Sequence, residues 1–191
     1  VRMSKVDGRH PIFTRLLHTT AQCRHDPSSS TVPSMTMSVA VVTGAAGLIG
    51  SQAVRHFSSI GLDVVGVDND TRRVFFGDDS STAWMVGELE EMLGDRYRHA
   101  DVDIRDRTGI DALFAEYGAD ISLVIHAAAQ PSHDWAAREP FTDFDVNAVG
   151  TLNVLEGCRH NAVQHLVYAS TSSVYGANTK MPFSVHQNVD H

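Results

Sequence analysis

The chain has 191 residues, 42% of them hydrophobic, and a formal net charge of −8. That length supplies one domain and is short for two, and the acidic balance argues against a general nucleic-acid binder. No apolar run approaches the ~18 residues of a membrane span, so no membrane partner is expected and the chain reads as soluble.

The charge is uneven along the chain. Residues 1–38 carry Arg2, Lys5, Arg9, Arg15 and Arg24 against Asp7 and Asp26, a local +3 that leaves −11 on the remainder. The stretch is poor in acids and rich in Arg, Ser and Thr, as organelle transit peptides are, and Ile12, Phe13, Leu16 and Leu17 offer a short apolar face. Its weak periodicity, the Val at position 1, and Met35 or Met37 just ahead of the first strand favour a non-structural leader instead. Residues 1–38 are therefore expected to be leader and 39–191 the folded domain. The two cysteines, Cys23 and Cys158, form neither a disulfide framework nor a CxxC knuckle, which fits a reducing cytoplasm. Cys158 is expected to be a small buried hydrophobe near a helix end. The histidines show no HExxH or other ligand spacing, so no metal is expected.

Beyond the leader, β-branched apolar runs alternate with helical periodicity. "VAVVTG" (39–44) reads as a buried strand, and "GLIGSQAVRHFSSIG" (47–61) as a helix with Ile49, Ala53 and Phe57 on one stripe. "DVVGVD" (63–68) is a second strand, "NDTRRVFFGDDSS" a polar loop, and residues 82–93 a helix. "YRHADVD" (97–103) is a weaker third strand. Ile110, Leu113, Phe114 and Tyr117 then mark a helix capped by Asp106 and stopped by Gly118. "ISLVIHAAA" (121–129) is a fourth strand with its exit, residues 141–159 a long helix, and "HLVYAS" (165–170) a fifth strand. Strands separated by helices predict an α/β fold, a doubly wound parallel sheet of the Rossmann type, ending after about the fifth strand.

The first turn carries chemistry. In "VVTGAAGLIGS", Gly44, Gly47 and Gly50 lie between a strand and a helix. A diphosphate must approach backbone N–H groups closely there, and the helix N-terminus supplies unpaired donors and partial positive charge. Gly44 permits the turn, Gly47 the close approach, and Gly50 lets the helix lie near the sheet. Asp68, at the end of the next strand, is placed to accept bonds from ribose hydroxyls. The combination predicts dinucleotide binding. The Asp68 carboxylate repels a 2′-phosphate and favours NAD over NADP, while Arg72 and Arg73 either soften that preference or belong to a solvated loop.

The spacing GxxGxxG, followed by "VDND", "DVDIRD", "HAAAQ" and "STSSVYG" in order, resembles an extended short-chain dehydrogenase/reductase, and more narrowly the NAD-dependent nucleotide-sugar epimerase/dehydratase group. The resemblance covers roughly residues 38–191. It implies that Gly47, Leu48 and Ile49 touch the diphosphate, that Asp68 and Asn69 hold the adenosine ribose, and that Asp103 and Ile104 flank the adenine. It implies Ala127, Ala128 and Ala129 on the nicotinamide side. Asn147, matching a recurrent family Asn, is expected at the cofactor site, bracing a neighbouring loop, or else as an exposed helix residue. Thr171 takes the position whose hydroxyl bonds the reacting sugar, with Ser172 beside it. Turn formation at a strand end is the alternative role for these hydroxyls.

The family's base is a Tyr whose pKa a Lys four residues later lowers, because a free phenol titrates near ~10. No Tyr here has Lys at +4: Tyr97, Tyr117, Tyr168 and Tyr175 are followed at that spacing by Asp101, Ile121, Ser172 and Thr179. Lys180 lies five after Tyr175. In the family the Tyr-x-x-x-Lys helix begins shortly after the equivalent of "NVDH". The chain as given is therefore expected to be the front portion of an epimerase, catalytically inactive alone, with strand five an exposed edge prone to association. A full-length homodimer is implied by the resemblance.

The sugar is left open. "HAAAQPSHDWAAREPFTDFDVNAVGTLNVLE" resembles CDP-paratose 2-epimerases, whereas "LVYASTSSVYGANTKMPFSVHQNVDH" resembles UDP-glucuronate 4-epimerases. The substrate is accordingly expected to be a CDP- or UDP-sugar. A dehydratase or reductase relative fits less well, since the dehydratases place Asp-Glu after the Thr and here Ser172 and Ser173 follow Thr171. His133 and Trp135 either border the sugar pocket or pack their own loop.

Overall fold

Alternation within the first strand already fixes two layers. In the computed structural model, which describes residues 38–171, β1 (Val39–Thr43) is buried along its whole length. Its odd residues Val39 and Val41 face one core, shared with Ile110, Leu113 and Phe114. Its even residues Ala40 and Val42 face another, shared with Val54, Leu89 and Tyr97. A strand buried on both faces must be central and needs helices on each side. Residues 1–37 of the expected leader, together with Ser172, Tyr175 and Lys180, lie outside the described residues.

The elements follow in chain order: α1 (Leu48–Ser59), β2 (Asp63–Val67), α2 (Thr71–Phe76), α3 (Ala83–Leu93), β3 (Tyr97–Ala100), α4 (Arg107–Tyr117), β4 (Ile121–His126), α5 (His133–Arg138), α6 (Pro140–Phe144), a π-helical turn (Asp145–Gly150), α7 (Thr151–His160) and β5 (Leu166–Tyr168). The sheet is parallel with order β3-β2-β1-β4-β5. The strand order reverses between β1 and β4, and the crevice above that reversal is where doubly wound folds bind ligands. The expected architecture is present, with β5 at the sheet edge among the described residues.

Three local expectations need correction. The polar loop after β2 contains α2. Asp70 precedes it with φ +53, in the left-handed region a short polar side chain tolerates, and Gly77 ends it at φ +89. The Asp70 carboxylate is fastened by the Ser81 hydroxyl at 2.7 Å and the Thr82 N–H at 2.8 Å, which ties the following turn back onto α2. The long helix is divided, because residues 145–150 widen into the π turn. The buried stripe of α1 is Gly50, Ser51, Val54 and Ser58, with Ala53 and Phe57 partly buried beside it, and Ile49 is 59% exposed.

Glycine sets two close approaches outside the loop. At Gly157 on α7 a β-carbon would lie 2.9–3.1 Å from the Phe114 ring, so this contact with α4 requires no side chain. At Gly66 in β2 it would strike the Tyr97 ring and come 2.8 Å from the Ala45 methyl, so a bare strand position makes room for an aromatic ring beneath the glycine loop. Cys158 is buried as expected, and burial pushes its thiol up to about 11.

Candidate cofactor site

The carboxyl ends of β1, β2 and β4 open into one cavity. Its lining includes Gly44, Gly47, Leu48, Ile49 and Gly50 from the glycine loop and helix start, and Asp68 and Asn69 after β2. Asp103 and Ile104 after β3 and Ala127, Ala128 and Ala129 after β4 complete the list of expected residues found there. Residues up to 85 positions apart in sequence thus share one wall because the parallel strands end together.

The three loop glycines differ in what they do. Gly44 has φ +68, and a β-carbon there would lie 2.8 Å from the Ala128 nitrogen. It makes the turn and lets the loop pack on the β4 exit. At Gly50 a β-carbon would fall on the Gly44 carbonyl, 2.6 Å from its carbon. Gly50 therefore closes helix against loop. At Gly47 the one neighbour is the Gly44 oxygen at 3.2 Å, and the rest of its surroundings are open. Gly47 begins α1 without any side-chain cap. Leu48, Ile49 and Gly50 line the cavity from the first turn of α1, where backbone N–H groups lack carbonyl partners within the helix and the positive end of the helix dipole lies. A diphosphate fits this surface: it needs bare backbone, unpaired N–H groups and positive potential, and finds all three.

Asp68 does more than the sequence suggested. Its Oδ2 accepts the Ala46 N–H at 3.0 Å and its Oδ1 accepts the Asp70 N–H at 2.9 Å. The carboxylate thereby ties the glycine loop to the β2 exit. A carboxylate has about four lone-pair sites, so two remain for ribose hydroxyls. Asn69 donates to Asp103 Oδ2 at 3.1 Å and accepts from the Thr71 N–H and hydroxyl. Asp103 is in turn forked by Arg105, whose Nη2 lies 2.6 Å from Oδ2 and whose backbone N–H lies 2.8 Å from Oδ1. Burial pushes the Asp103 carboxyl up, but the Arg105 and Asn69 bonds outweigh it and hold the group below the usual carboxylate range.

Ile104 is buried, and its side chain occupies the space left by Gly150 in the π turn. Asn153, itself buried, donates to the Ile104 and Arg105 carbonyls at 2.9 and 3.2 Å. That anchor was not anticipated, since only the fold brings residues nearly fifty apart together. Arg72 lines the cavity with its guanidinium 5.1 Å over the Phe76 ring, so it is not merely a solvated loop residue. Arg73 turns toward Asp70 and Asp78, its Nε 3.9 Å from each.

Asn147 is not among the lining residues. Its side chain accepts the Gln130 N–H at 2.9 Å, donates to the Gln130 carbonyl at 3.1 Å and donates to Asp143 at 3.0 Å. It braces the loop behind the alanines instead of lining the cavity. Gln130, buried and also unanticipated, adds bonds to Ser132 and Asp143. Trp135 packs on Phe75 with ring centroids 4.7 Å apart, and His133 is exposed; neither lines the cavity. Thr171 is exposed and likewise away from the lining. Ser172 lies outside the described residues. Among the described residues no helix is long and apolar enough to cross a membrane, and no cluster of three His, Cys, Asp or Glu side chains is placed to hold a metal.

Comparison with known proteins agrees with this geometry. The model of the NAD dependent epimerase/dehydratase family matches residues 40–190. The UDP-glucuronate 4-epimerase of Thermodesulfobacterium geofontis (strain OPF15) is 34% identical over 150 residues, covering 78% of this chain and 44% of that protein. Protein CapI of Staphylococcus aureus is 34% identical over 151 residues, covering 79% and 43%. The crystal structure of UDP-glucose-4-epimerase from Stenotrophomonas maltophila, with bound NAD and formylated UDP-arabinopyranose, superposes with a TM-score of 0.67 at 32% identity, over 81% of this chain and 43% of that one. The chain spans less than half the length of these relatives. With a family model matched over most of its length and the glycine loop, Asp68 and the alanine wall gathered at one crevice, the chain belongs to the NAD dependent epimerase/dehydratase family.

Proposed function

We propose that this domain binds NAD across the crevice and that the whole protein is a nucleotide-sugar epimerase. The observation that carries the reading is the convergence of Gly47, Asp68 and Ala128 on one cavity. Gly47 with the Leu48 and Ile49 amides takes the diphosphate. Asp68 and Asn69 take the adenosine ribose. Asp103 and Ile104 flank the adenine, and Ala127, Ala128 and Ala129 receive the nicotinamide end. Asn147 serves the same site indirectly, through Gln130. Bound NAD supplies a reversible hydride acceptor for a sugar carbinol. Thr171, with Ser172 beside it, is the hydroxyl proposed to orient the sugar.

The two epimerases compared above act on UDP-sugars, so a UDP-sugar is the first substrate to try and CDP-paratose the second. The whole protein, purified and incubated with NAD and UDP-glucuronate, UDP-glucose or CDP-paratose, is expected to produce an epimer, read by NMR of the sugar protons. A second reading is an NAD-binding module without turnover of its own. Cofactor binding without conversion of any sugar selects it. Failure to bind NAD removes both readings.

Self-association accompanies the proposal. Phe141 and Phe144 on α6 and Leu152 and Leu155 on α7 are large apolar side chains left exposed, and a second copy is their proposed partner.

A further inference from the structure

Behind the alanine wall runs a chain of hydrogen bonds whose direction follows from counting protons. Thr151 donates its one hydroxyl proton to the Asn147 carbonyl at 2.7 Å. Its oxygen also lies 3.0 Å from His126 Nε2, so the imidazole must be the donor there. His126 is 1% exposed, and burial lowers its pKa to about 4, so the ring is neutral and Nδ1 is bare. Nδ1 lies 2.6 Å from the fully buried Thr43 hydroxyl, which therefore donates to it. The Thr43 oxygen then accepts the Ala128 N–H at 3.3 Å. The opposite polarity takes the proton away from the Asn147 carbonyl. It also leaves the Thr43 hydroxyl proton buried with no acceptor among the described residues, at a cost of about 1–3 kcal/mol.

We propose that His126, locked as the neutral Nε2–H tautomer, is a positioning residue that clamps the Ala127–Ala129 wall of the cofactor site to the π-helical turn. The clamp has two arms meeting at Asn147. Its backbone carbonyl begins the relay to residue 128, and its side chain grips residue 130. Residue 128 in the wall and residue 130 just beyond it are thus held from one turn of helix, at the segment where α6 passes into α7. A π turn inside an α-helix commonly marks a functional site, and here it brings the Asn147 carbonyl and side chain to bear on one loop. His126 touches no reacting atom in this assignment. It acts through Thr43 and the Ala128 amide.

The tautomer is read directly by long-range ¹H–¹⁵N NMR of histidine-labelled protein, with the His126→Phe spectrum assigning the signals. A bare-type Nδ1 and a protonated Nε2, unchanged from pH 8 to pH 5.5, are expected; an Nδ1–H tautomer, a mixture or an imidazolium overturns the proposal. Hydrogen exchange provides the second readout. Thr43→Val removes the donor to the ring and the acceptor for Ala128, so the Ala128 amide should exchange about tenfold faster, while Thr43→Ser restores protection. Equal exchange in both variants overturns the clamp. The NAD arm rests on the functional reading above: Thr43→Val should weaken binding about tenfold, with Thr43→Ser within about twofold of the parent. Should the parent bind no NAD at all, the tautomer and exchange results still decide the clamp, so the two failures are distinguishable.

Discussion

Substituting alanine at two glycines three residues apart should produce opposite phenotypes. At Gly50 a β-carbon would fall on the Gly44 carbonyl, 2.6 Å from its carbon and 2.9 Å from the Ala45 Cα. All of these are backbone atoms, so relief requires moving the loop or the helix. Overpacking of this kind costs about 1–3 kcal/mol or more. At Gly47, φ is −76° and the β-carbon meets only the Gly44 oxygen at 3.2 Å. There alanine forfeits only the modest N-cap preference of glycine, roughly a few tenths to 1 kcal/mol. Its methyl group, however, stands on the surface assigned to the diphosphate. Gly47→Ala should therefore retain most of its urea stability yet lose about tenfold or more in NAD affinity by calorimetry, the equivalent of about 1.4 kcal/mol. Gly50→Ala should lose stability first. Parent-like NAD affinity in Gly47→Ala, or parent-like stability in Gly50→Ala, refutes the division of labour in this loop.

Three further outcomes are expected. Asp68→Asn can satisfy only one of the Ala46 and Asp70 N–H groups, so it should lose about 1–3 kcal/mol of urea stability as well as most NAD binding; an unchanged melting temperature contradicts the bracing role. Because burial lowers His126 from 6.5 to about 4, the unfolded chain binds a proton that the folded one refuses. The associated stability, about 3 kcal/mol, is present above pH 6.5 and is lost as pH falls toward 4; a flat urea midpoint between pH 7 and pH 4.5 contradicts it. Gly157→Ala presses a methyl onto the Phe114 ring and should cost about 1–3 kcal/mol without changing NAD affinity, since it lies away from the cavity.

Much of the fold was legible because central parallel strands are apolar on both faces. "VAVVT" and "DVVGV" announce buried strands by composition, and the i, i+3, i+4, i+7 pattern from Ile110 to Tyr117 announces α4. The helix α2 was not legible, because "TRRVFF" buries no residue fully and is held by side-chain bonds from its flanks, not by an apolar stripe. The glycine loop and Asp68 were legible as a motif, but the bond from the Ala46 N–H to Asp68 was not, for it depends on how β1 and β2 end side by side. Asn153, Gln130 and the Thr43–His126–Thr151 relay were missed for the same reason. Each joins partners that sequence separates by 17 to 85 residues, and polar side chains in strands and helices look solvent-facing until packing buries them. The clue available was local: in "HAAAQ" a His and a Gln flank three residues too small to be there for packing alone.

Whether the crevice holds the cofactor as assigned is settled most directly by a crystal structure of the chain grown with NAD. The diphosphate oxygens should sit within hydrogen-bonding reach of the Leu48 and Ile49 amides, with a ribose on Asp68 and the nicotinamide against Ala127–Ala129. Density for the dinucleotide elsewhere, or a crevice left empty at saturating NAD, contradicts the account.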